Sequence, residues 1–247
     1  FSAAVLGLLV SAALMLLVVR DAPAGSAWTR REPESLMSVI RGLGEIFRHP
    51  AMPGLIGAAL IGYSTNFAIR GPWLGLYMID IHGLGTPATG RLLFAMAALG
   101  TIGIFLAGWL AARLGSPRPV VLCFAGISLA CMTTLASWSD IPTEALIAVL
   151  LVFGLFSNFF PAIIEHGRSL FDDRLRGRSL TSINVWVFVG VGITQPVSGF
   201  IMESFVPAGA TSAALPEHAY RALFTYLAVV VLAGAAAYAL FARYRRS

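Results

Sequence analysis

The sequence predicts an all-α integral membrane protein, and its composition and the placement of its charges carry that prediction. Hydrophobic residues make up 57% of the 247 residues, charged residues only 12%, and the mean hydropathy is +0.81. Soluble globular domains carry about 25% charged residues. The apolar residues gather in seven segments, each close to the roughly 20 residues that a helix needs to cross a membrane. The acids lie almost entirely outside these segments.

Two elements precede the main group of spans. Residues 1–20 form an apolar helix that Arg20 closes, and residues 21–50 form a polar connection. The second part of this connection is amphipathic, so we expect a helix that lies along the membrane interface. Its apolar positions are Leu36, Val39, Ile40, Leu43, Ile46 and Phe47. The remaining residues, 51–247, contain the other six segments.

Residues 54–81, called the Arg70 span below, carry polar residues inside an apolar run. At about 100° per residue these side chains fall within an arc of roughly 100°, so we expect one side of the helix to face water or a ligand. They are Tyr63, Asn66, Arg70, Trp73, Tyr77 and Asp80. Pro72 lacks an N–H and leaves the carbonyl of Ala68 free, which predicts an irregular helix.

Five further spans follow the Arg70 span. They run from about Leu92 to Ala112, Val120 to Ser137, Ala145 to Glu165, Leu180 to Phe205 and Tyr220 to Ala242. The segment from Ala145 to Glu165, called the Asn158 span below, is predicted to break at Pro161. It is expected to lead into a charged loop, residues 166–178.

The charges of the loops predict an orientation. If residues 20–50 are cytoplasmic, fourteen of the 17 basic residues lie on that side, and the opposite loops hold only Arg91 and Arg221. The fourteen are Arg20, Arg30, Arg31, Arg41, Arg48, Arg113, Arg118, Arg168, Arg174, Arg176, Arg178, Arg243, Arg245 and Arg246. The positive-inside rule then places the start of the chain outside and its end in the cytoplasm. We expect the inner membrane of a bacterium.

Several functional classes conflict with the composition. A retinal protein needs a lysine for its Schiff base, and the sequence contains none. A haem or metal enzyme needs histidines that face one another inside the bundle, whereas all four histidines lie at segment ends or in loops. We therefore expect no enzyme, no cofactor and no metal site. The net charge of +5 describes loops at a membrane surface rather than a nucleic-acid site.

An internal repeat relates two of the spans. Gly62-Tyr-Ser-Thr-Asn66-Phe67 matches Gly154-Leu-Phe-Ser-Asn158-Phe159 at Gly, Asn and Phe with the same spacing. The two spans lie three helices apart and run in opposite directions, and a proline follows each asparagine. Inverted three-helix repeats with broken helices that meet near the midplane are the architecture of secondary transporters.

Residues 108–118, GWLAARLGSPR, look like the loop G-x-x-x-D-R-x-G-x-x-R of the major facilitator superfamily, with Ala112 where the family has an acid. Residues 176–178 and the segment WLGLYMIDIHG, residues 73–83, add to the resemblance, which covers essentially the whole chain. It implies the carboxy-terminal half of such a transporter. Residues 51–247 would be a six-helix bundle of two inverted repeats, residues 21–50 the cytoplasmic linker, and residues 1–20 the last helix of an amino-terminal bundle. Since the chain opens within an apolar helix, we expect the rest of that bundle to precede it.

The resemblance implies a secondary active transporter that moves a small solute across the lipid bilayer by alternating access. The first helix of each repeat lines the central cavity in this family. The candidate solute-binding residues are Arg70, Asn66, Tyr63, Trp73, Asn158 and Gln195. The candidate gating residues, in cytoplasmic loops, are Gly108, Arg113, Gly115, Arg118, Arg176 and Arg178. The alternative function is a receptor or sensor that uses the same bundle without transport.

Arg70 gives the sharpest prediction, because no acid lies one turn away to neutralise it within its own helix. A charged residue at membrane depth costs about 2.5 to 3.5 kcal/mol on insertion scales and persists where it meets a cavity or a partner. We expect Arg70 to contact an anionic solute, organic or inorganic. Two alternatives stay open, which are snorkelling to the outer interface and an ion pair with Asp80 or with an acid in the amino-terminal half.

The orientation can be tested by cysteine labelling in a variant that lacks Cys123 and Cys131. We expect single cysteines near positions 85, 140 and 212 to react with an impermeant reagent added to intact cells. Cysteines near positions 30, 116, 172 and 247 should react only after the cells are opened. Labelling of position 172 from outside would contradict the predicted orientation.

Overall fold

The computed structural model describes residues 2–18, 35–206 and 214–242, and every regular element within those ranges is helical. Residues 1–39 and 40–247 form two separate compact units. The first unit contains α1, Ser2–Val18, an apolar helix of 17 residues. The arginines that were assigned to the cytoplasmic side at positions 20, 30, 31, 243, 245 and 246 lie outside the described residues.

Within the described residues of the second unit, six helical segments are long and apolar enough to span a membrane. They are Met52–Asp80, made of α3 to α5; Thr86–Leu114, α6; Pro117–Ser137, α7; Thr143–Leu170, made of α8 and α9; Asp173–Glu203, α10; and Glu217–Phe241, α11. The prediction of an all-α membrane fold is confirmed. Helix α11 packs against α7 and α3, α6 packs against α8, and α10 packs against α3.

The six spans alternate in direction, so the bundle has two ends. One end, called the Arg118 end, brings the start of α7 to the end of α11, where Arg118 Nη2 donates to the carbonyl of Ala239 at 2.7 Å. The other end, called the Asp80 end, brings the end of the Arg70 span to the start of α11, where the Tyr220 hydroxyl donates to Asp80 Oδ2 at 2.9 Å. Each end has its own apolar core.

Helix α2, Leu36–Arg48, occupies the amphipathic stretch of the connection. Gly42 and Ile46 are buried on one of its faces. Glu45 accepts from Arg174 of α10 at 2.7 Å, so this face lies against the start of α10. The placement of the helix at a membrane interface stays a prediction.

The Arg70 span is broken twice. Helix α3, Met52–Ile61, ends at Gly62, and α4, Ser64–Ala68, begins after a turn at Tyr63. A π-helical segment, Ile69–Trp73, then leads into α5, Leu74–Asp80, and contains Pro72. The amide of Leu74 donates to the carbonyl of Ile69, five residues back. The irregularity expected at Pro72 is thus a local widening of the helix, which accommodates the missing donor.

The two irregularities change which residues of the Arg70 span share a face. Tyr63 is exposed, whereas Asn66 and Tyr77 are buried. Tyr77 packs against Tyr220 and Phe224 in the core of the Asp80 end. The predicted single polar stripe is therefore wrong, because a regular rotation of 100° per residue does not hold through the turn at Tyr63 and the π segment.

The Asn158 span is also broken, but before the predicted point. Helix α8, Thr143–Phe156, ends at Ser157, and α9, Phe160–Leu170, begins with Pro161 in its first turn. The predicted charged loop, residues 166–178, is mostly helical, since α9 continues to Leu170 and α10 begins at Asp173. Asp172 starts α10 by accepting from the amide of Leu175 at 3.2 Å, as N-terminal capping residues do.

Glycines allow the spans to approach closely. A Cβ on Gly103 of α6 would overlap the backbone carbonyl of Leu155 in α8, and a Cβ on Gly190 of α10 would overlap that of Leu60 in α3. Gly57 and Gly234 make a similar contact between α3 and α11. Small residues at helix crossings are the usual means of close packing in membranes, where no hydrophobic effect drives helices together.

Arginine side chains cap the α7–α11 pair at both ends. Arg118, in the first turn of α7, donates to Ala239 in the last turn of α11. Arg221, in the second turn of α11, donates through Nε to Ala136 near the end of α7 at 2.9 Å. Both arginines therefore satisfy carbonyls that a helix end leaves free. Helices α7 and α11 are the third members of the two triplets of spans, so this reciprocal arrangement agrees with two inverted repeats.

The role of Gly190 can be tested against a matched control two residues away. We expect Gly190→Ala to lower the free energy of unfolding by about 1 to 3 kcal/mol, because the new methyl group overlaps the Leu60 carbonyl. A Cβ on Gly192 meets nothing within 4 Å, so Gly192→Ala should not destabilise the protein. The measurement is unfolding of the purified protein in detergent. Equal effects of the two substitutions would contradict the close contact.

Candidate functional site

The two helix breaks meet in the middle of the bundle. Asn66 and Ser157 each lie 14 residues beyond the first residue of their span, Met52 and Thr143, or about 21 Å along the helix. Asn66 Nδ2 donates to Ser157 Oγ at 2.5 Å, and both residues are buried. The polar side chains at the two breaks therefore bond to each other, and they do so at mid-depth in both spans.

Asn158 follows Ser157 in the chain, but its side chain contacts helix α6 instead of the Arg70 span. A Cβ on Gly100 of α6 would come within 2.5 Å of its Nδ2 atom, so the amide fills the space that this glycine leaves. Asn158 is 8% exposed and Asn66 3% exposed. Neither side chain projects freely, so a role for either in binding a solute, which stays a prediction, requires a local rearrangement.

Arg70 occupies the π segment and is partly exposed. Its Nε atom is buried and has no hydrogen-bond partner among the described residues. No described carboxylate lies within 4 Å of its guanidinium group, since the ion pairs in these parts of the chain involve other arginines. Asp80, the partner considered from the sequence, instead accepts from Tyr220. Arg70 thus holds a positive charge within a membrane-spanning helix, and its guanidinium N–H groups can donate to a ligand.

Trp73 and Gln195 both contribute to the surroundings of the π segment that contains Arg70. Trp73 Nε1 donates to Ser198 Oγ at 2.8 Å, and the Ser198 hydroxyl donates to the carbonyl of Gln195 at 2.7 Å. A Cβ on Gly71 would lie 3.5 Å from Gln195 Nε2, so the amide of Gln195 reaches the residue next to Arg70. Helix α10 thereby holds the π segment through the Trp73–Ser198 bond and places the amide of Gln195 against Gly71.

Tyr63 begins α4 on an exposed face. Its ring packs against that of Phe67, with centroids 5.8 Å apart. Both side chains are about two-fifths exposed, at 40% and 42%. Of the six candidate solute-binding residues, the structure therefore gathers Arg70, Trp73 and Gln195 around the π segment. It pairs Asn66 with Ser157, and it leaves Tyr63 on an open face and Asn158 in a helix crossing.

Four of the candidate gating residues lie in the last turns of α6, the first turn of α7 and the turn between them, at the Arg118 end. Gly115 ends α6 with a left-handed φ of 59°, which favours glycine. Arg113 lies over the ring of Trp109, with Cζ 5.3 Å from its centroid. Gly108 and Gly115 line a cavity of about 550 Å³. Its other lining residues are Ala111, Ala112, Pro117, Pro161, Glu165 and Ser169.

Arg176 and Arg178 belong to the first turns of α10 rather than to a loop, which corrects their predicted setting. Arg176 forms an ion pair with Asp173 at 2.5 Å. The guanidinium group of Arg178 occupies the space above Gly42 of α2. Because exposed ion pairs contribute only about 0 to 1 kcal/mol, the Arg176–Asp173 pair can form and break at little cost.

Two histidines lie just outside the spans. Burial lowers the pKa of His49 and of His82 below the usual value, which favours the neutral form of both rings. His82 Nδ1 lies 3.1 Å from the Thr143 hydroxyl, and the His49 ring packs against Phe171. Among the described residues, no group of three or more His, Cys, Asp or Glu side chains has the arrangement of a metal site.

Three residues of the polar framework were not singled out from the sequence. Ser157 immediately precedes Asn158 in the repeat, and its place between a helical run and a proline is the signal that marks it. Arg221 was assigned only to an outer loop, although it lies in the second turn of α11. Glu45 carries no local signal, because its partner Arg174 lies far along the chain.

A family model agrees with these observations. The model described as Major Facilitator Superfamily matches residues 1–162 and again residues 66–247. Together the two matches cover the chain, and the overlapping part contains the α6–α7 turn and the start of the Asn158 span.

Curated relatives and a solved structure are also similar to the chain. The uncharacterized MFS-type transporter YhhS of Escherichia coli O157:H7 is 28% identical over 149 residues, or 60% of this chain and 36% of that protein. YhhS of Salmonella typhimurium is 29% identical over 148 residues, or 60% and 35%. The inward-open xylose transporter XylE from E. coli matches with a TM-score of 0.61 at 16% identity, over 82% of this chain and 48% of that chain. The aligned part of this chain thus spans about a third of its curated relatives, and the likeness to XylE concerns the fold.

The contact between the two breaks can be tested with a double-mutant cycle. We expect Asn66→Ala and Ser157→Ala to couple by about 0.6 kcal/mol in the free energy of unfolding, the mean for hydrogen bonds between membrane helices. Ser128 is buried, and its hydroxyl has no hydrogen-bond partner among the described residues. Its substitution by Ala should therefore be additive with Asn66→Ala. The measurement is unfolding in mixed detergent micelles, and a coupling no larger than that of the control pair would contradict the contact.

Proposed function

Because the chain belongs to the Major Facilitator Superfamily, we propose that it forms part of a secondary active transporter that moves a small anion by alternating access. The matched family and the curated relatives are transporters, which points to a transporter rather than an enzyme. The six apolar spans make the chain part of a multi-pass membrane protein. The inner membrane, and a cytoplasmic location for the Arg118 end, belong to the proposal.

The surroundings of Arg70 are the observation that favours an anion as the solute. Its guanidinium group has no carboxylate within 4 Å in the described parts of the chain, and its buried Nε has no acceptor there. Arg70 lies ten residues before the end of its span at Asp80, about 15 Å along the helix. Keeping an uncompensated charge at that depth is costly, so a negatively charged solute would supply what the site lacks.

The two breaks support alternating access. Discontinuous helices that meet near the midplane are typical of solute sites in secondary transporters. In this chain the first spans of the two triplets are broken, and Asn66 bonds to Ser157 where they meet. We propose that a preceding half of the protein supplies the other wall of the cavity. The solute would then bind between the two halves, against the π segment.

The charged residues at the Arg118 end suit a gate. The Arg174–Glu45 and Arg176–Asp173 pairs are exposed, so each is worth only about 0 to 1 kcal/mol. In the proposed transporter these arginines, together with the Gly108–Arg118 turn, face the preceding half and exchange partners as the cavity closes. Ala112 stands where the family loop carries an acid, and the Arg113 side chain lies over the ring of Trp109.

A receptor or sensor on the same bundle is the competing function, and transport assays separate the two. The full-length protein would be reconstituted in liposomes loaded with a panel of unlabelled carboxylates, and uptake of the same labelled carboxylates would be followed at pH 8. A carrier shows counterflow above the leak of protein-free liposomes. If no anion of the panel shows counterflow, the anion-carrier proposal fails.

Substitution of Arg70 tests its role in the same assay. We expect Arg70→Lys to keep membrane insertion but to weaken the apparent affinity for the anion tenfold or more, because a lysine loses the planar fork that grips a carboxylate at two points. Arg70→Gln should abolish counterflow. Arg91→Gln is the matched control, since Arg91 is exposed near the start of α6, and it should leave counterflow unchanged. Normal uptake by Arg70→Gln would remove the anion site and leave an interfacial anchor.

A further inference from the structure

Two aromatic side chains are exposed at helix α4, and they bear on the chemical class of the solute. Tyr63 and Phe67 are 40% and 42% exposed, although the residues between them are buried. Their rings lie in contact, with centroids 5.8 Å apart and planes inclined by 39°. This spacing lies in the range of aromatic pairs, 4.5 to 7 Å. Two adjoining ring faces are thus presented on one side of a short helix in the middle of the span.

The same face leads to Arg70. Phe67 lies four residues after Tyr63, and Arg70 lies three residues after Phe67. These three positions are exposed or partly exposed while the residues between them are buried, so the three side chains lie on the side of the span that faces away from the bundle. The rise is about 4.5 Å from Phe67 to Arg70 and about 10 Å from Tyr63 to Arg70. A face that carries a charge at this depth is costly to expose to lipid. The two rings therefore share the aqueous side of the helix with Arg70.

We propose that the solute is an aromatic carboxylate, with its carboxylate on Arg70 and its ring against Phe67 and Tyr63. This inference rests on the proposed function and names the solute class of the same site. The guanidinium group binds the charged end, while the ring pair offers an apolar, flat surface to the body of the solute. An inorganic anion uses only the first of these features, and an uncharged sugar leaves the positive charge of Arg70 without a counter-charge.

Gln195 and Trp73 complete the charged end of the proposed site. The amide of Gln195 reaches the backbone at Gly71, and it can donate to a carboxylate oxygen that Arg70 does not fully occupy. Trp73 donates to Ser198, which fixes its ring at the end of the π segment. Polar donors thus lie at one end of the face and aromatic rings at the other, about 5 to 10 Å away along the helix. A benzene ring that bears a carboxylate has matching dimensions.

The test uses binding to the purified full-length protein, which does not depend on transport. Labelled benzoate is bound in detergent micelles, and acetate, cyclohexanecarboxylate and unlabelled benzoate compete for its site. We expect benzoate to bind at least tenfold more tightly than acetate and severalfold more tightly than cyclohexanecarboxylate, which is apolar but lacks a π-face. Benzoate and acetate competing equally would overturn the aromatic site, even if Arg70-dependent counterflow of other carboxylates upheld the carrier.

Substitutions then locate the preference. Tyr63→Leu and Phe67→Leu should each weaken benzoate binding about threefold to tenfold and change acetate binding less than twofold, whereas Tyr63→Phe should keep the benzoate affinity. Phe105→Leu is the matched control, because Phe105 is a 73% exposed aromatic residue on α6, and it should have no effect. Equal losses for benzoate and acetate, or unchanged benzoate binding in both leucine variants, would overturn the proposal. Comparing unlabelled benzoate and acetate on the unaltered protein decides the question even if a variant fails to fold.

Discussion

The absence of water inside a membrane is the constraint on which the structure depends, because every backbone group that leaves a regular helix needs another partner. The Arg70 span meets this demand at Pro72 by widening into a π segment, in which the Leu74 amide bonds to Ile69. At mid-depth the other break of this span lies against that of the Asn158 span, where the side chains of Asn66 and Ser157 bond to each other. A polar contact between side chains thus joins the two irregular segments.

The same constraint gives the arginines a second role. Loop arginines are expected to set the orientation of the chain, yet Arg118 and Arg221 also bond to the terminal carbonyls of a neighbouring helix. A long, permanently charged side chain suits this task, since it reaches across a helix pair while its charge stabilises a helix C-terminus. The α7–α11 pair is thus fastened at both ends, and the broken spans are the less regular part of the bundle.

The sequence predicts the spans well and their breaks only in part, and the reason is physical. Long apolar runs follow from composition alone, and the irregularity at Pro72 follows from a missing donor on the same helix. The turn at Gly62 and Tyr63 has no such local cause, because Gly62 packs against Ile163 of another span. The partner of Asn66 lies 91 residues away, so only tertiary structure identifies it. Charged residues 166–178 look like a loop by composition, but the cap at Asp172 lets them continue as helix.

The position of the proposed site follows from these irregularities. A solute that changes the conformation of a carrier must bind where two arrangements differ little in energy, since a ligand shifts an equilibrium only through its different affinity for the two states. We propose that the regular helices fastened by Arg118 and Arg221 move as bodies, whereas the π segment and the turn at Tyr63, which already depart from regular geometry, change locally. Arg70 and the ring of Phe67 lie in and directly before the π segment. An anion that bridges them would therefore bind the part of the span best able to respond, which couples its occupancy to the closing of the cavity.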